Sequence, residues 1–450
     1  MQPQITPLAL VLLALPAFAQ DPAPQADAPP ESRNILILVA DDLGVDMVGA
    51  YGESQDAPRT PNIDRLAEGG VLFRNAWTAP MCSPSRASIQ TGRQPKETGI
   101  GFVLADNAEG LADDEMTIPE MLKLHPSEVY ASGLFGKWHL GGDLTGPVTQ
   151  GYNTYKGYPN NLYPPQSYFD FTRYDNGVPV QVTTYATTDT VDQALAWIAT
   201  APEPWVCVVS FHAPHEPFHA PPANLHHVDL TGAHPRLNPR PLYKAAVEAL
   251  DTELGRMMLG IGEDLNHTNV FFMGDNGTPK AASAAPFLPE HAKLTPYEGG
   301  INVPFIVRGP AVHEPGSECD ALISLTDLYA TVADLADVDL VAGQPQNRPV
   351  DSISLLPYLE SPQLPSFRAR AYAGAFNDDN AGNGNSFRWH MLRDDRYKFI
   401  LIDDGGLHLE MYDLVQDPFE TCNLLDGAMT PEEKRAFDDI LRELRALVSG

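Results

Sequence analysis

The chain contains several unbroken apolar runs, and these runs constrain its fold more than any other feature. The first covers residues 34–40 (NILILVA), and similar runs follow at 205–211, 269–273 and 303–307. An unbroken apolar run is typical of a parallel strand with both faces covered, whereas a strand with one face in water alternates. Between them lie segments with helical spacing of apolar residues, most clearly 244–258. The pattern predicts an α/β fold with a large, mostly parallel sheet flanked by helices.

The last part of the chain has a different pattern. From about residue 366 onward it contains short strand-like stretches at 389–393, 397–402 and 409–412, followed by a helical pattern at 431–448. We therefore expect residues 34–365 to form the main, catalytic domain and residues 366–450 to form a small α+β C-terminal subdomain. Residues 151–185 are rich in Tyr, Asn, Pro and Gly, and we interpret them as a long, partly ordered insertion.

The N-terminus has the features of a secretory signal. A short apolar run at 9–18 overlaps the Ala-Phe-Ala pattern of residues 17–19. This predicts a signal peptide at 1–19, a flexible segment at 20–33, and a periplasmic or secreted protein. The run is too short to span a bilayer, and no later segment is apolar enough to do so, so we expect no transmembrane anchor.

Charge and cysteine content exclude some classes of function. The 450 residues carry a formal net charge of −30, which disfavours nucleic acid as a partner because its phosphates would be repelled. The four cysteines do not form a disulfide framework. Cys207 lies in an apolar run and is expected to be inert core. Cys319 and Cys422 can pair only if the fold brings them close together, and the sequence leaves this open.

Oxygen-bearing side chains follow two of the apolar runs. Asp41 and Asp42 come directly after the first run, and Asp275 and Asn276 follow the run at 269–273. Because the carboxyl ends of parallel strands form one edge of a sheet, ligands collect there. Carboxylate and amide oxygens suit Ca²⁺, and two adjacent acids would otherwise repel each other. The two pairs therefore predict a metal site.

A second candidate element is Cys82-Ser83-Pro84-Ser85-Arg86. Pro84 suits the first turn of a helix and Ser83 is a candidate N-cap. Cys82 would then lie at a helix N-terminus, which favours negative charge. Arg86 lies about one turn further along and can point back toward Cys82.

Cationic and imidazole side chains complete the candidate set. Lys137 and His139 are two residues apart in the segment GKWHLG, and on an extended strand they would share a face. Such a pair suits anion binding and proton transfer. Lys293 precedes Glu-Gly-Gly at 298–300, and His215 lies in a His-rich loop with His212 and His219. Three histidines can imitate a zinc site, but the oxygen-rich set already provides a metal site, so we discount zinc.

Together these elements resemble the formylglycine-dependent sulfatases of the alkaline phosphatase superfamily, over roughly residues 34–425. The resemblance implies that Cys82 is converted to formylglycine by a maturation enzyme, since the chain cannot oxidise itself. It implies a Ca²⁺ site formed by Asp41, Asp42, Asp275, Asn276 and the modified Cys82. It also implies that the sulfate is surrounded by Arg86, Lys137, His139, His215 and Lys293.

The resemblance further implies a reaction. A hydroxyl of hydrated formylglycine attacks sulfur, His215 helps the alcohol to leave, and His139 assists the release of sulfate. Two alternatives remain: a phosphomonoester or phosphonate monoester hydrolase, and a non-catalytic protein that binds a sulfated ligand. The substrate alcohol is also open among aryl, carbohydrate and choline sulfates. The aromatic segment 151–185 favours a sulfated carbohydrate, because sugar faces stack on aromatic rings.

Overall fold

The computed structural model describes residues 34–343, 345, 348–378 and 386–449. The predicted signal peptide (1–19) and flexible segment (20–33) lie outside these residues. In the described ranges, no helix combines the length and the apolar character needed to cross a membrane.

One large mixed sheet forms the centre of the described structure. Its strands are β1 (Asn34–Asp41), β2 (Gly70–Trp77), β3 (Ala131–Gly136), β4 (Thr154–Gly157), β5 (Phe171–Asp175), β6 (Val178–Val182), β7 (Trp205–Pro214), β8 (Thr268–Gly274), β9 (Phe305–Arg308) and β10 (Ser317–Ser324). Their order is β10-β2-β9-β8-β1-β7-β3-β4-β5-β6. The five central strands β8, β1, β7, β3 and β4 are parallel to one another. The predicted α/β fold is therefore confirmed.

Helices cover both faces of this sheet. They are α1 (Pro61–Glu68), α2 (Cys82–Thr91), α3 (Pro95–Thr98), α4 (Ile118–Leu122), α5 (Gly146–Thr149), α6 (Ala186–Ile198), α7 (Arg240–Ile261), α8 (Glu298–Ile301), α9 (Asp327–Leu335), α10 (Leu340–Gly343) and α11 (Leu356–Glu360). Short 3₁₀ turns occupy Val45–Met47, Gly49–Tyr51, Gly262–His267, Pro289–His291 and Leu424–Asp426. The helix predicted at 244–258 is the centre of α7.

The first apolar run shows why strands of this kind lack alternation. Leu36 and Leu38 of β1 belong to the hydrophobic core that contains residues of α6 and α7. Ile35 and Ile37 point to the other core, which contains residues of α2 and α9. Since both faces of β1 are buried against helices, every position of the strand favours an apolar side chain.

The run at 303–307 departs from the expected pattern. It forms β9, which is antiparallel to both β2 and β8. A parallel connection must carry the chain back along the full length of the sheet. Residues 275–304 instead remain at the carboxyl edge of β8, where the Lys293 amide donates to the Thr278 carbonyl. The chain therefore enters β9 from the edge it has just left, and the strand runs in the opposite direction.

The interpretation of residues 151–185 as a partly ordered insertion was wrong in part. This segment supplies β4, β5 and β6, which extend the large sheet at one end. Asn176 and Gly177 connect β5 to β6 with φ angles of 47° and 87°. An Asn-Gly pair with two positive φ angles is a typical two-residue hairpin turn. The strands were missed because they are short, and β4 and β5 carry no clear alternation of apolar and polar residues.

The C-terminal part forms a second, antiparallel sheet. Its strands, β11 (Ala371–Asn377), β12 (Phe387–Arg393), β13 (Tyr397–Asp403) and β14 (Leu407–Asp413), pair in chain order, and α12 (Pro431–Ser449) follows them. One face packs on Trp77 and Ile301 of the main part, and the other packs on α12. The α+β character is as expected, while the domain limits 34–365 and 366–450 stay predictions. Cys319 is buried, Cys422 is exposed and both are free thiols, as is buried Cys207.

Candidate active site

The site lies at the carboxyl edge of the central parallel strands. β1 and β8 are adjacent, with Ala40 opposite Gly274, so the residues that follow them meet. The Asp42 amide donates to Asp275 Oδ1 at 2.9 Å, and Asn276 Nδ2 donates to Asp42 Oδ1 at 2.8 Å. Asp41 ends β1 beside them. All four side chains are buried. The structure therefore brings the predicted oxygen ligands together.

Gly277 shows how closely this edge is packed. Its amide donates to the Gly300 carbonyl at 3.0 Å. A Cβ atom at Gly277 would lie 1.9 Å from the Gly299 carbonyl oxygen. Only glycine permits this approach, and so the segment after β8 can pack against the start of α8.

Cys82 is the first residue of α2 and is buried among charged groups. Its Sγ lies 3.3 Å from Asp41 Oδ1, 3.8 Å from Asp42 Oδ1 and 3.6 Å from Lys293 Nζ. The predicted cap at Ser83 was wrong, because the helix begins two residues earlier than this cap implies, and Met81 occupies the cap position. The Ser83 hydroxyl instead accepts from the Leu104 amide at 3.0 Å.

Arg86 lies one turn along α2 and points into the same site. Its Nε donates to Asp275 Oδ2 at 2.9 Å, and its Nη2 lies 3.5 Å from Asp41 Oδ1. Its Nη1 donates to the Ser210 hydroxyl at 2.6 Å. Because Arg86 donates from several nitrogens of its planar guanidinium to different groups, its side chain is held in one orientation.

Lys137 and His139 both reach the site, but not by sharing a strand face. β3 ends at Gly136, whose φ is 102°, and His139 has a φ of 58°. The backbone therefore turns, and the two-residue spacing does not apply. Lys137 Nζ lies 2.5 Å from Asp41 Oδ2 and donates to Asn161 Oδ1 at 2.6 Å. His139 is buried, and its Nδ1 has no hydrogen-bond partner among the described residues.

The two remaining predicted residues come from different loops and contact different carboxylate oxygens of Asp42. His215 Nε2 lies 3.7 Å from Asp42 Oδ2, and Lys293 Nζ lies 2.5 Å from Asp42 Oδ1. His215 follows the end of β7, and its Nδ1 lies 2.6 Å from the Glu216 carbonyl oxygen. The structure thus brings together all the candidate site residues around the Asp41–Asp42 pair.

The neighbouring histidines are directed elsewhere. His212 is buried in β7 rather than in a loop, and its Nε2 lies 3.0 Å from the carbonyl oxygens of Tyr158 and Asn160. His219 stacks on Tyr168, with ring centroids 4.0 Å apart. Since His212 Nε2 faces two acceptors, it must carry a proton and cannot ligate a metal. His212 Nε2 and both ring nitrogens of His219 are thus engaged by other protein groups.

The electrostatics of the site are uneven. Burial opposes ionisation of Asp41, but Lys137, His215 and Arg86 hold the pKa of its carboxyl well below its usual value. Burial, together with the charge of Asp41, raises the pKa of Asp275 to about 7 although Arg86 contacts it. Burial and the charge of Lys137 lower the pKa of His139 well below its usual value. Burial and the repulsion between neighbouring carboxylates therefore oppose full ionisation of the three acids, although three cations lie beside them.

These residues fit a hard divalent cation. Ligand atoms of Asp41, Asp42, Cys82 and His215 lie within 4.8 Å of one another. The buried Oδ1 of Asn276 has no hydrogen-bond partner among the described residues. An oxygen-rich, net anionic donor set with an unsatisfied amide oxygen suits Ca²⁺. A bound cation would also remove the repulsion that raises the pKa of Asp275.

Several contacts of the site could not be identified from the sequence. Ser210 orients Arg86 and Asn161 orients Lys137, yet a serine inside a strand and an asparagine in a loop carry no distinctive pattern. The Tyr243 hydroxyl, from α7, donates to the Asp42 carbonyl at 2.6 Å. Its position on the buried face of α7 is the only available signal, and most tyrosines on such faces are simply core.

Comparisons with family models cover nearly all of the described chain. Residues 33–338 match the sulfatase family. Residues 291–447 match the C-terminal part of N-sulphoglucosamine sulphohydrolase.

Individual sulfatases are also similar to this chain. N-acetylgalactosamine-6-sulfatase of Sus scrofa is 32% identical over 366 residues, which are 73% of this chain and 66% of that protein. The chain therefore matches just under two thirds of the length of this relative. Arylsulfatase A of Bos taurus is 28% identical over 453 residues, which cover 91% of this chain and 87% of that protein.

Solved structures agree with the fold. The crystal structure of Ps i-CgsB in complex with k-i-k-neocarrahexaose has a TM-score of 0.75 and 25% identity, and the match covers 92% of each chain. The structure of BT4656 in complex with its substrate D-glucosamine-2-N,6-O-disulfate has a TM-score of 0.74 and 21% identity, over 92% of this chain and 98% of that one. The predicted resemblance is confirmed: the chain belongs to the sulfatase family, whose arylsulfatase-like hydrolases it resembles over most of its length.

Proposed function

We propose that the protein hydrolyses a sulfate ester to an alcohol and inorganic sulfate, with a formylglycine made from Cys82. The position of Cys82 carries this proposal: its Sγ lies within 3.8 Å of two carboxylates and of Lys293 at the first residue of α2. Burial and the charge of Asp41 raise the pKa of the Cys82 thiol well above its usual value. A thiol in that state is a poor nucleophile, so the position suits a precursor better than a working cysteine.

The oxygen ligands support a calcium site next to this residue. Asp41, Asp42, Asp275 and Asn276 would hold Ca²⁺ together with the modified side chain of Cys82. When bound, Ca²⁺ supplies positive charge to the sulfuryl oxygens, and hydrated formylglycine supplies the attacking hydroxyl. A maturation enzyme that uses an external oxidant would convert Cys82, because oxidation of the thiol carbon to an aldehyde removes electrons that this chain cannot accept.

The remaining residues divide into anion binding and proton transfer. Arg86, Lys137 and Lys293 carry charges that can bind the sulfuryl oxygens and stabilise the charge that develops on them. His215 Nε2 lies 3.7 Å from Asp42 Oδ2 and would hold a proton for the departing alcohol oxygen. The unpartnered Nδ1 of His139 would accept a proton in the step that releases sulfate.

A sulfated carbohydrate is the substrate class that we propose. Similar proteins include N-acetylgalactosamine-6-sulfatase and a structure in complex with k-i-k-neocarrahexaose. The segment 151–185 brings aromatic side chains such as Tyr163 close to His215. We also propose a periplasmic or secreted location, which the apolar run at 9–18 and the Ala-Phe-Ala pattern support.

Mass spectrometry and kinetics test this function together. Protein produced with a formylglycine-generating enzyme should show the aldehyde or its hydrate in the peptide that contains Cys82, and should release sulfate. Protein produced without that enzyme should retain the thiol and lack activity. Full activity with unmodified Cys82 would contradict the proposal.

Paired substrates test the class of ester. We expect the matured protein to have a higher kcat/KM on a sulfate ester than on the phosphate ester of the same alcohol. The opposite order would favour a phosphomonoester hydrolase. A screen of defined sulfated glycans for released sulfate would then identify the alcohol.

A further inference from the structure

One part of the active-site rim is not explained by the chemistry of sulfate transfer. Tyr163, from the loop between β4 and β5, is 43% exposed, and its ring centroid lies 5.9 Å from that of His215. Its hydroxyl donates to Glu216 Oε1 at 2.9 Å, and Glu216 is exposed directly after His215. An exposed aromatic ring and an exposed carboxylate are thus joined to each other beside the residue proposed to protonate the alcohol.

The position of this pair relates it to the leaving group rather than to the sulfate. Two of the three cations proposed to bind sulfate, Lys137 and Arg86, are buried and contact Asp41. His215 contacts the other carboxylate, Asp42, and its ring lies next to that of Tyr163. Burial and the charge of Glu216 raise the pKa of the Tyr163 phenol, while the charge of Lys293 opposes this, so both charged groups lie near the phenol. Tyr163 and Glu216 therefore border the space that the alcohol must occupy when its oxygen faces His215.

An acidic group at this place is unexpected in a site for anions. Glu216 repels any anion that approaches. In the described structure, it forms no ion pair with the buried cations Lys137 and Arg86. A carboxylate has about four lone-pair positions, of which the Tyr163 hydroxyl uses one. It can still accept a hydrogen bond from a hydroxyl group of the substrate. The same charge disfavours a substrate that places a second anionic group there.

We propose that Tyr163 and Glu216 form the leaving-group wall of the site, and that this wall selects a ring-shaped alcohol with uncharged hydroxyl groups next to the scissile ester. The ring of Tyr163 offers an apolar face to a pyranose or aryl ring. Glu216 accepts from a neighbouring hydroxyl and excludes a neighbouring sulfate or carboxylate. This inference rests on the proposed function and narrows its substrate class.

The charge of Glu216 is tested with two aryl sulfates that differ only in a carboxylate next to the ester. Wild-type protein should have the higher kcat/KM on the neutral ester. Glu216→Gln should raise the ratio of kcat/KM for the anionic ester over the neutral one roughly five- to tenfold. Because each comparison uses the same two esters, their intrinsic reactivity cancels.

Glu314→Gln is the matched control. Glu314 is exposed and follows β9, which runs away from the carboxyl edge, so this variant removes the same net charge far from the site. We expect it to leave the ratio unchanged. An equal change in both variants would show a general effect of net charge and overturn the proposal, as would no change in Glu216→Gln.

The ring of Tyr163 is tested separately. Tyr163→Ala should raise KM severalfold for a cyclic sulfate ester and leave KM for a short acyclic alkyl sulfate almost unchanged, whereas Tyr163→Phe should keep most of the cyclic binding. Equal effects on both esters would contradict a ring-binding role.

If wild-type protein with formylglycine released no sulfate from any ester, the proposed function itself would fail. Turnover without the ratio change would reject only the leaving-group wall.

Discussion

Two buried groups of charged side chains in this protein differ in the kinds of groups that surround their charges. The active-site cluster consists of Asp41, Asp42, Asp275, Arg86, Lys137 and Lys293. The interface cluster joins the C-terminal sheet to α8 and consists of Glu298, Glu420, Arg393 and Lys398. Both contain equal numbers of formal positive and negative charges.

The interface cluster is closed on itself. Lys398 Nζ lies 3.0 Å from Glu298 Oε1 and 2.7 Å from Glu420 Oε1, and it lies over the Trp77 ring. Glu420 Oε2 accepts from the Glu298 amide at 2.6 Å. The cluster contains no cysteine, and it lies next to the apolar core between the two sheets.

In the interface cluster, Glu420 Oε1 also lacks a hydrogen-bond partner in the described structure, but it forms an ion pair with Lys398. The active-site cluster is different because its unpartnered atoms are neutral ligand or proton-accepting atoms. It surrounds a cysteine, and the described structure gives no hydrogen-bond partner to Asn276 Oδ1 or His139 Nδ1. It also borders the exposed Tyr163. Buried charge alone therefore does not indicate function. Buried charge with unsatisfied ligand atoms, a modifiable side chain and an exposed rim does.

The largest effect should come from removing the modified residue. Cys82→Ala should lower sulfate release by more than about 10⁴-fold, because the attacking group is lost. Its thermal unfolding should stay close to that of the wild type, since Cys82 contributes no ion pair to either cluster. Residual turnover within about tenfold of wild type would contradict the role of Cys82.

Lys398→Met, in the interface cluster, should have the opposite effect: it should lower stability but not activity. It leaves Glu298 and Glu420 buried with less compensation, and should lower the free energy of unfolding by about 3–5 kcal/mol. The activity of each folded molecule should change little. Denaturant unfolding and active-site titration measure the two effects, with exposed Lys434→Met as a control. A loss of kcat without a loss of stability would place Lys398 in the catalytic machinery.

Asp275→Asn should mainly affect metal binding. The amide oxygen can still accept from the Asp42 amide, but a negative charge among the proposed ligands is lost. We expect a cost of about 3 kcal/mol in the barrier, or roughly 10²-fold in kcat/KM. Metal analysis should show a matching loss of bound Ca²⁺. Wild-type activity that survives exhaustive chelation would reject the calcium assignment.

His139 and His215 should differ in their dependence on the leaving group. His215→Ala should slow alkyl sulfates by about 10²-fold and activated aryl sulfates much less, since a poor leaving group needs a proton most. His139→Ala should instead give a rapid release of one equivalent of alcohol, followed by slow turnover. Stopped-flow and steady-state kinetics on both ester classes measure this. Equal losses for both classes, with no burst in either variant, would show that the roles are wrong.

The smallest effect concerns the pH dependence of the interface cluster. Burial and the charge of Glu298 raise the pKa of Glu420 from 4.5 to about 7, although Lys398 opposes this. The folded state therefore holds a proton that the unfolded state has lost, and this contribution to stability is lost as pH rises from about 4.5 through 7. Over this pH range, the contribution of Glu420 to the free energy of unfolding should fall by about 1–3 kcal/mol. Glu420→Gln should flatten this part of the profile, measured by denaturant unfolding at pH 5 and 8; an unchanged slope would contradict it.

Much of the fold could be predicted from local patterns. The unbroken run at 34–40 and the spacing in 244–258 predicted β1 and α7, since burial on two faces or on one helical stripe leaves a periodic signature. β5 and β6 could also have been found from Asn176-Gly177, a hairpin signal that was not used. The direction of β9 could not, because an apolar run has the same pattern in either direction.

The candidate site shows the same division. The sequence by itself determined that Asp41 and Asp275 follow strands and that Cys82 lies at the start of a helix. It also determined the family. Only the tertiary structure decided that Lys137 approaches Asp41 through a turn rather than along a strand, that Ser210 and Asn161 orient the cations, and that Tyr163 lies beside His215. Strand ends and helix starts are local features that a few neighbouring residues specify. Contacts between distant segments depend on how whole layers pack, and that is decided by burial summed over the entire sheet.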